Sequence, residues 1–195
     1  VSQEVHVSRR TVEVMPVDTS APQDLTGLWL AAKIDGGSSK EVCARTIAEG
    51  KLDAALRRPG VQAFVASLDG EPVGYVITTD NPFGLSPASE VAVEQLWVAP
   101  EARRHGVAKS LLTAVLGAAE RAGCEVVVSN VPTASRDANR FFARLGFSSV
   151  VVRRVVPTST LRRKLAPETS ETGNELRRRR RSLRQRAFAS SAPGT

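Results

Sequence analysis

The chain has 195 residues, 42% of them hydrophobic, enough to build one domain with a core of ordinary size, and it carries a formal charge of +7. No apolar run approaches the ~20 residues that span a bilayer, residues 1–17 lack the order of a secretion signal, and Cys43 and Cys124 stand outside any metal or redox spacing; a cytoplasmic protein without a disulfide framework, its cysteines buried as small apolar residues, is expected. The charge lies at one end: from Leu161 onward 10 Lys/Arg face 3 acids and the earlier residues hold 17 of each sign, so polyanion contact is implied for the tail and not for the body.

After a polar leader (1–9), residues 11–15 suit a short strand stopped by Pro16. Asp18, Thr19 and Ser20 are candidate caps for a helix, because Pro22 fits a first turn and Leu25, Leu28, Trp29 and Ala32 recur at helical spacing. Gly36-Gly37-Ser38-Ser39 ends it, and a second helical region over 40–56, interrupted at Gly50, runs to Pro59-Gly60. Both helices are expected to cover one face of a sheet. Residues 61–68 and 73–79 are β-prone runs joined by Asp69-Gly70, a hairpin signal that makes them antiparallel neighbours.

A loop rich in Asn, Pro, Gly and Ser (80–89) leads to a strand at 91–98, then to an amphipathic helix at 106–122. In that helix Val107, Leu111, Val115 and Ala118 form one stripe, with Leu112, Leu116 and Ala119 beside it, and Gly123 ends it. Residues 125–131, with Val126-Val127-Val128 at the centre, read as a central strand covered on both faces. A helix at 135–145 stops at Gly146 in a C′ position, and 147–152 and 159–165 are expected to complete the sheet. Strands joined first by a hairpin and then alternating with helices predict an α/β (α+β) fold, a mixed sheet covered by helices. Past Pro167 the composition turns to Glu, Thr, Ser, Gly, Asn and Arg, and residues 166–195 are expected to be a disordered basic tail.

The stretch from Val93 to Lys109 carries the chemistry. An apolar strand stops at Pro100, a loop follows with Arg103, Arg104 and His105, and Gly106 opens the long helix. Strand, loop and helix N-terminus in that order gather unpaired backbone N–H groups and the positive end of the helix dipole, so the expected ligand is an anion.

With these elements in order, the chain resembles the GNAT superfamily of acyl-CoA N-acyltransferases over residues 10–165. Arg103-Arg104-His105-Gly106-Val107-Ala108 matches the family's Arg/Gln-x-x-Gly-x-Gly/Ala pyrophosphate motif, directly after Leu96-Trp97-Val98-Ala99-Pro100. Ala138-Asn139-Arg140-Phe141-Phe142-Ala143-Arg144-Leu145-Gly146-Phe147 is similar to the family's second cofactor helix. The resemblance implies a mostly antiparallel sheet, flanked by helices on both faces and splayed at its central strands, and an enzyme that moves an acetyl group from acetyl-CoA to a primary amine by direct attack, without a metal. The acceptor is a small molecule or a protein, selected by the early helices and the loop at 80–89.

It also implies roles. Pantetheine would pair with the backbone of Leu96, Trp97 and Val98, and the pyrophosphate would lie on the N–H groups from Arg104 through His105, Gly106, Val107 and Ala108 to Lys109. Gly106 lets the backbone approach, Ala108 keeps the next contact small, and Arg103 and Arg104 add charge-assisted bonds. The N–H of Val98 is the candidate oxyanion donor. Period-2 alternation puts Glu94 on the face of Leu96 and Val98, which makes it the candidate base; the alternative is a strand glutamate facing solvent or paired with a loop arginine. Glu90 and Asp80 stand behind it, and His105 is assigned to the cofactor side.

The chain departs from the family at two positions on the second cofactor helix. Phe142 occupies the place of the usual tyrosine acid, and Ser135 the place of an often-found asparagine. Phenylalanine has no proton to give, which leaves Ser135 or a water as donor, and Tyr75 is expected in the core or cleft wall. Two other readings stay open: a non-catalytic acyl-CoA-binding module, and a nucleic-acid or ribosome-associated factor acting through residues 177–186. A homodimer is also left open, and no membrane partner is expected.

Overall fold

The computed structural model describes residues 11–18, 22–81 and 88–166. The chain divides into two compact units, Val1–Phe147 and Ser148–Thr195.

The first unit holds a five-stranded sheet in the order β1 (Val12–Pro16), β2 (Val61–Leu68), β3 (Glu71–Asn81), β4 (Glu90–Val98), β5 (Val126–Ser129). The first three pairings are antiparallel and the β4–β5 pairing is parallel, so the sheet is mixed and mostly antiparallel as expected. The β2–β3 turn is the predicted hairpin: Asp69 and Gly70 take φ of 53° and 88°, the paired positive values of a type I′ turn, and Leu68 lies opposite Glu71.

Helices cover both faces. On one, α1 (Gln23–Asp35), α2 (Lys40–Ala48) and α3 (Lys51–Leu56) bury Leu25, Leu28, Trp29, Cys43, Leu52 and Leu56 against Ala63, Val65, Tyr75 and Ile77. The break between α2 and α3 falls at Gly50, as read from the sequence. Helix α1 starts directly after Pro22 without a side-chain cap; the candidate caps Thr19 and Ser20 lie outside the described residues.

On the other face α4 (Val107–Arg121) buries Val107, Leu111, Val115 and Ala119 against Phe64, Val76, Val91, Val93 and Val98. Leu111 is fully buried, and truncating such a side chain to alanine removes about 2–5 kcal/mol. Leu116 is exposed, so the buried stripe is narrower than the sequence suggests. Cys43 is buried as expected and Cys124 half-buried.

Two expectations are overturned. Strand β5 is four half-buried residues at the end of the sheet order, not a central strand covered on both faces. The strands read at 147–152 and 159–165 are not formed: residues 148–157 have no regular structure, and Thr158–Leu165 is a helix, α6. Pro157 supplies the extended N-cap of that helix, while Leu161 and Leu165 fall at i, i+4, a spacing that alternation counting over seven residues overlooks. For 148–152 the valine-rich composition was misleading because β propensity measures fit against a neighbouring strand. The arginine run at 177–181 lies outside the described residues, and no helix among the described ones is long and apolar enough to cross a membrane.

Candidate active site

Strand β4 is paired on both sides for only part of its length. Its ladder with β5 runs from Glu90 to Val93 and closes with the Asn130 N–H on the Val93 carbonyl at 3.3 Å. Its ladder with β3 continues to Val98, and the Ala99 N–H donates to the Val73 carbonyl at 2.8 Å. Backbone groups of an antiparallel strand alternate sides, so those of Leu96 and Val98 point away from β3, toward an edge that no strand among the described residues covers beyond Val93. The splay thus falls at the last pairing of the sheet, β4 with β5, and not between central strands. The Val98 carbonyl accepts a bond from Arg103 Nε at 3.1 Å, which leaves its N–H as the polar group it offers there.

A β-bulge marks where the splay begins. Thr78 lies opposite Val93 and Ile77 opposite Gln95, so Glu94 is an extra residue in β4 with no partner in β3. The bulge corrects the placement of Glu94. Val91 and Val93 pack toward α4, and after the bulge it is Leu96 and Val98 that do so, so the parity changes. Both Glu94 carboxylate oxygens are bonded, one by Thr79 Oγ1 at 3.1 Å and the other by Asn130 Nδ2 at 3.1 Å. Thr79 alternates with Ile77 and Tyr75, which pack toward the α1–α3 layer, so Glu94 does not share the face of Leu96 and Val98. It is an exposed carboxylate held at the mouth of the splay, and no loop arginine pairs with it among the described residues.

The loop after β4 is built for close approach. A single 3₁₀ turn (Pro100–Ala102) is followed by Arg104 at φ 69° and Gly106 at φ 84°, and the first backbone bond inside α4 is the Ser110 N–H to the Gly106 carbonyl. The N–H groups of Val107, Ala108 and Lys109 therefore precede the first i→i−4 partner, no acid sits in the first turn, and Arg104, His105 and Lys109 are exposed beside them. Gly106 would present a Cβ to open space; its value lies in its backbone angle and in leaving that space clear for a ligand. This donor set fits a pyrophosphate.

Arg103 is placed differently from its neighbour. Its Nη2 pairs with Asp35 at 3.2 Å and its Nε with Val98, so the guanidinium turns back onto β4. Trp97 donates its indole N–H to the same Asp35 oxygen at 3.1 Å, and its ring lies 6.3 Å from that of Tyr75. Tyr75 is 1% exposed and its hydroxyl donates to Gln95 Oε1 at 3.0 Å; burial holds its pKa well above the usual value. It is a core residue, as expected.

The second helix, α5 (Arg136–Arg144), begins after Ser135, whose side chain makes no cap bond. Asn139 Nδ2 instead ties the helix start to the Pro132 and Ser135 carbonyls, at 3.0 and 2.7 Å. Phe142 is buried, edge-on to Phe141 at 5.3 Å and to Phe147 at 5.0 Å. Gly146 ends the helix at φ 90°, with Phe147 N–H on the Phe142 carbonyl, the predicted C′ arrangement. Of the remaining carboxylates, Glu90 is buried and accepts from Asn81 Nδ2 at 2.7 Å, and Asp80 is exposed at the end of β3.

Sequence reading missed Gly74, Thr79, Asn130 and Asp35. Only Gly74 left a signal, a lone glycine inside a strand pattern: a Cβ there would lie 2.9 Å from the Trp97 carbonyl oxygen and 3.3 Å from Val107. The start of α4 rests on the sheet because that side chain is missing.

The model of the acetyltransferase (GNAT) family matches residues 29–147, which contain β4, the loop, α4 and α5. Among solved structures, an aminoglycoside acetyltransferase from an uncultured soil metagenomic sample is 21% identical over 76% of this chain and 99% of its own, with a TM-score of 0.65. A ribosomal-protein-alanine N-acetyltransferase from Brucella melitensis biovar Abortus 2308 is 19% identical over 75% and 99%, with a TM-score of 0.60. Aminoglycoside N-acetyltransferase AAC(6')-Iy, in complex with CoA, is 19% identical over 78% and 97%, with a TM-score of 0.62. These likenesses are of fold. No curated protein matches the chain in sequence.

Proposed function

Because this chain belongs to the acetyltransferase (GNAT) family, we propose that it transfers an acetyl group from acetyl-CoA to a primary amine of a small molecule or protein. The observation that carries the reading is the continuity of the open β4 edge with the N-terminus of α4. A pyrophosphate on the N–H groups of Val107, Ala108 and Lys109, with Arg104 and Lys109 beside it, leaves the pantetheine arm to pair along Val98 and Leu96.

Acetyl-CoA supplies the thioester whose carbonyl carbon the amine attacks. Glu94, directly or through one water, accepts the proton that the amine gives up, and a backbone N–H of the open edge takes the charge developing on the carbonyl oxygen. At about 3.3 Å per residue, Val98 lies roughly 13 Å along the strand from Glu94 and Leu96 roughly 7 Å. Base and oxyanion donor serve one carbon, so the spacing favours Leu96 for the oxyanion and leaves the Val98 N–H to a pantetheine amide. Phe142 gives no proton to the leaving sulfur, but a thiol of pKa ~8.5 departs as an anion without one.

The enzyme reading predicts thermal stabilisation by acetyl-CoA and free-thiol release when a panel of amines, peptides and aminoglycosides is offered. Lack of any stabilisation at millimolar acetyl-CoA overturns it. Glu94→Gln should lower kcat by ~10²-fold or more while leaving the Kd of acetyl-CoA unchanged; a kcat within threefold of wild type removes Glu94 from the role of base. Phe142, buried among phenylalanines, favours one other reading, a module that binds acyl-CoA without turning it over. That protein would show the stabilisation and release no thiol with any amine.

A further inference from the structure

Asp35 closes α1, at the end of a helix where the backbone dipole disfavours an acid, and yet two donors from elsewhere converge on one of its oxygens. One is the indole N–H of Trp97, in the open half of β4. The other is Nη2 of Arg103, the first arginine of the loop, whose Nε caps the Val98 carbonyl at the same time. One carboxylate thus ties together the end of the α1 layer, the strand edge and the start of the loop. Arg103, charged and beside an anion cradle, is spent on this tie and turned away from the helix N-terminus.

We infer that Asp35 is a positioning residue for acyl-CoA, acting through Arg103 and Trp97 to fix the open edge of β4 against the loop that precedes α4. The inference rests on the reading of that edge as the acyl-CoA cleft and deepens it. With Arg103 on the Val98 carbonyl, the edge offers a lone donor at Val98 and a donor with an acceptor at Leu96, which sets the register in which an extended amide chain can pair. Loss of the carboxylate frees the guanidinium, uncaps Val98 and loosens the indole together. The pyrophosphate is then left to backbone N–H groups with Arg104 and Lys109, and Arg103 serves it through the shape of the loop.

The test uses the full chain, titrated with CoA by calorimetry, in wild type, Asp35→Ala, Asp35→Glu, Arg103→Ala and the Asp35→Ala/Arg103→Ala pair. Because the Asp35–Arg103 pair is about half exposed, a modest effect is expected: Asp35→Ala weakens CoA about fivefold. The double variant should be no weaker than Arg103→Ala alone, since the carboxylate works through the guanidinium, and Asp35→Glu should recover at least half of the loss. In a Trp29→Phe background Trp97 is the sole tryptophan, and its emission maximum should move on Asp35→Ala before CoA is added. Should Asp35→Ala unfold the chain, Asp35→Asn carries the same measurements. Additive losses, or a Kd within 1.5-fold of wild type with unchanged Trp97 emission, overturn the inference. A wild type that fails to bind millimolar CoA fells the acyl-CoA reading and this inference with it, whereas a binding wild type with indifferent Asp35 variants fells the inference alone.

Discussion

The two halves of β4 share a backbone and differ in what lies beside them. Glu90–Val93 is hydrogen-bonded to β3 on one edge and β5 on the other, and all four side chains are buried. From Glu94 to Val98 the strand keeps β3 alone, and its side chains are exposed or half-buried until Val98 returns to the core. The first half behaves as scaffold and the second as a docking edge. One inserted residue separates them: the bulge changes the facing and puts a carboxylate at the boundary, where β5 ends at Ser129 and the parallel pairing with it. Scaffold and edge do not require different sequence styles; both halves are rich in apolar residues, and only the lost partner strand makes the second available to a ligand.

Removing the insertion is the most direct way to break this contrast. Deleting Glu94 brings Gln95 next to Val93 and restores regular alternation against Thr78 and Ile77, with Leu96 and Val98 still facing α4. The variant should fold, with a circular-dichroism spectrum and cooperative melt close to wild type, yet lose acetyl transfer by roughly 10²-fold or more, as expected when a positioned base is removed. An active deletion variant would show that the bulge is incidental.

A substitution at the loop sharpens the contrast from the other side. Gly106→Val forces a β-branched residue into φ 84°, at a cost of about 1–2 kcal/mol, and places methyl groups where the pyrophosphate is to lie. Acetyl-CoA affinity should fall about tenfold or more, read by calorimetry, with the scaffold half of β4 intact as judged by hydrogen exchange. Unchanged affinity would remove Gly106 from the site.

The smallest effect is expected where the docking half joins the core. Tyr75→Phe deletes the hydroxyl that donates to Gln95 and should cost about 1 kcal/mol in denaturant unfolding with little change in turnover. The same residue gives a pH signature. Burial raises its folded pKa above the unfolded value near 10, so the folded state keeps the proton longer; its contribution to stability is whole below about pH 10 and is lost as the pH climbs from there toward the folded pKa. Tyr75→Phe should flatten that alkaline loss, measured as the unfolding midpoint between pH 9 and 11.

Most of the scaffold was legible because its signals are local. The Asp69-Gly70 turn, the break at Gly50 and the stop at Gly146 each follow from neighbouring residues and stand where they were read, and the apolar stripe of α4 does so in narrower form, with Ala119 buried and Leu116 exposed. The residues of the candidate cradle were legible for the same reason, since a strand, a basic loop and a glycine-led helix follow one another without a gap. What was not legible depended on a partner distant in sequence. The face of Glu94 could not be counted from β4 alone, because a bulge exists only relative to β3 and shifts every later side chain. The edge position of β5 and the helix at 158–165 depended on which strands formed beside them.

The sequence by itself thus determined the order of elements as far as α5 and a helix N-terminus fit for an anion, since periodicity, capping and charge act over a few residues. The tertiary structure decided where β4 loses its neighbour, what holds Glu94, and that Arg103 is bound to a carboxylate 68 positions away instead of waiting for a phosphate. Those are pairings between distant residues, and folding alone brings their members within reach.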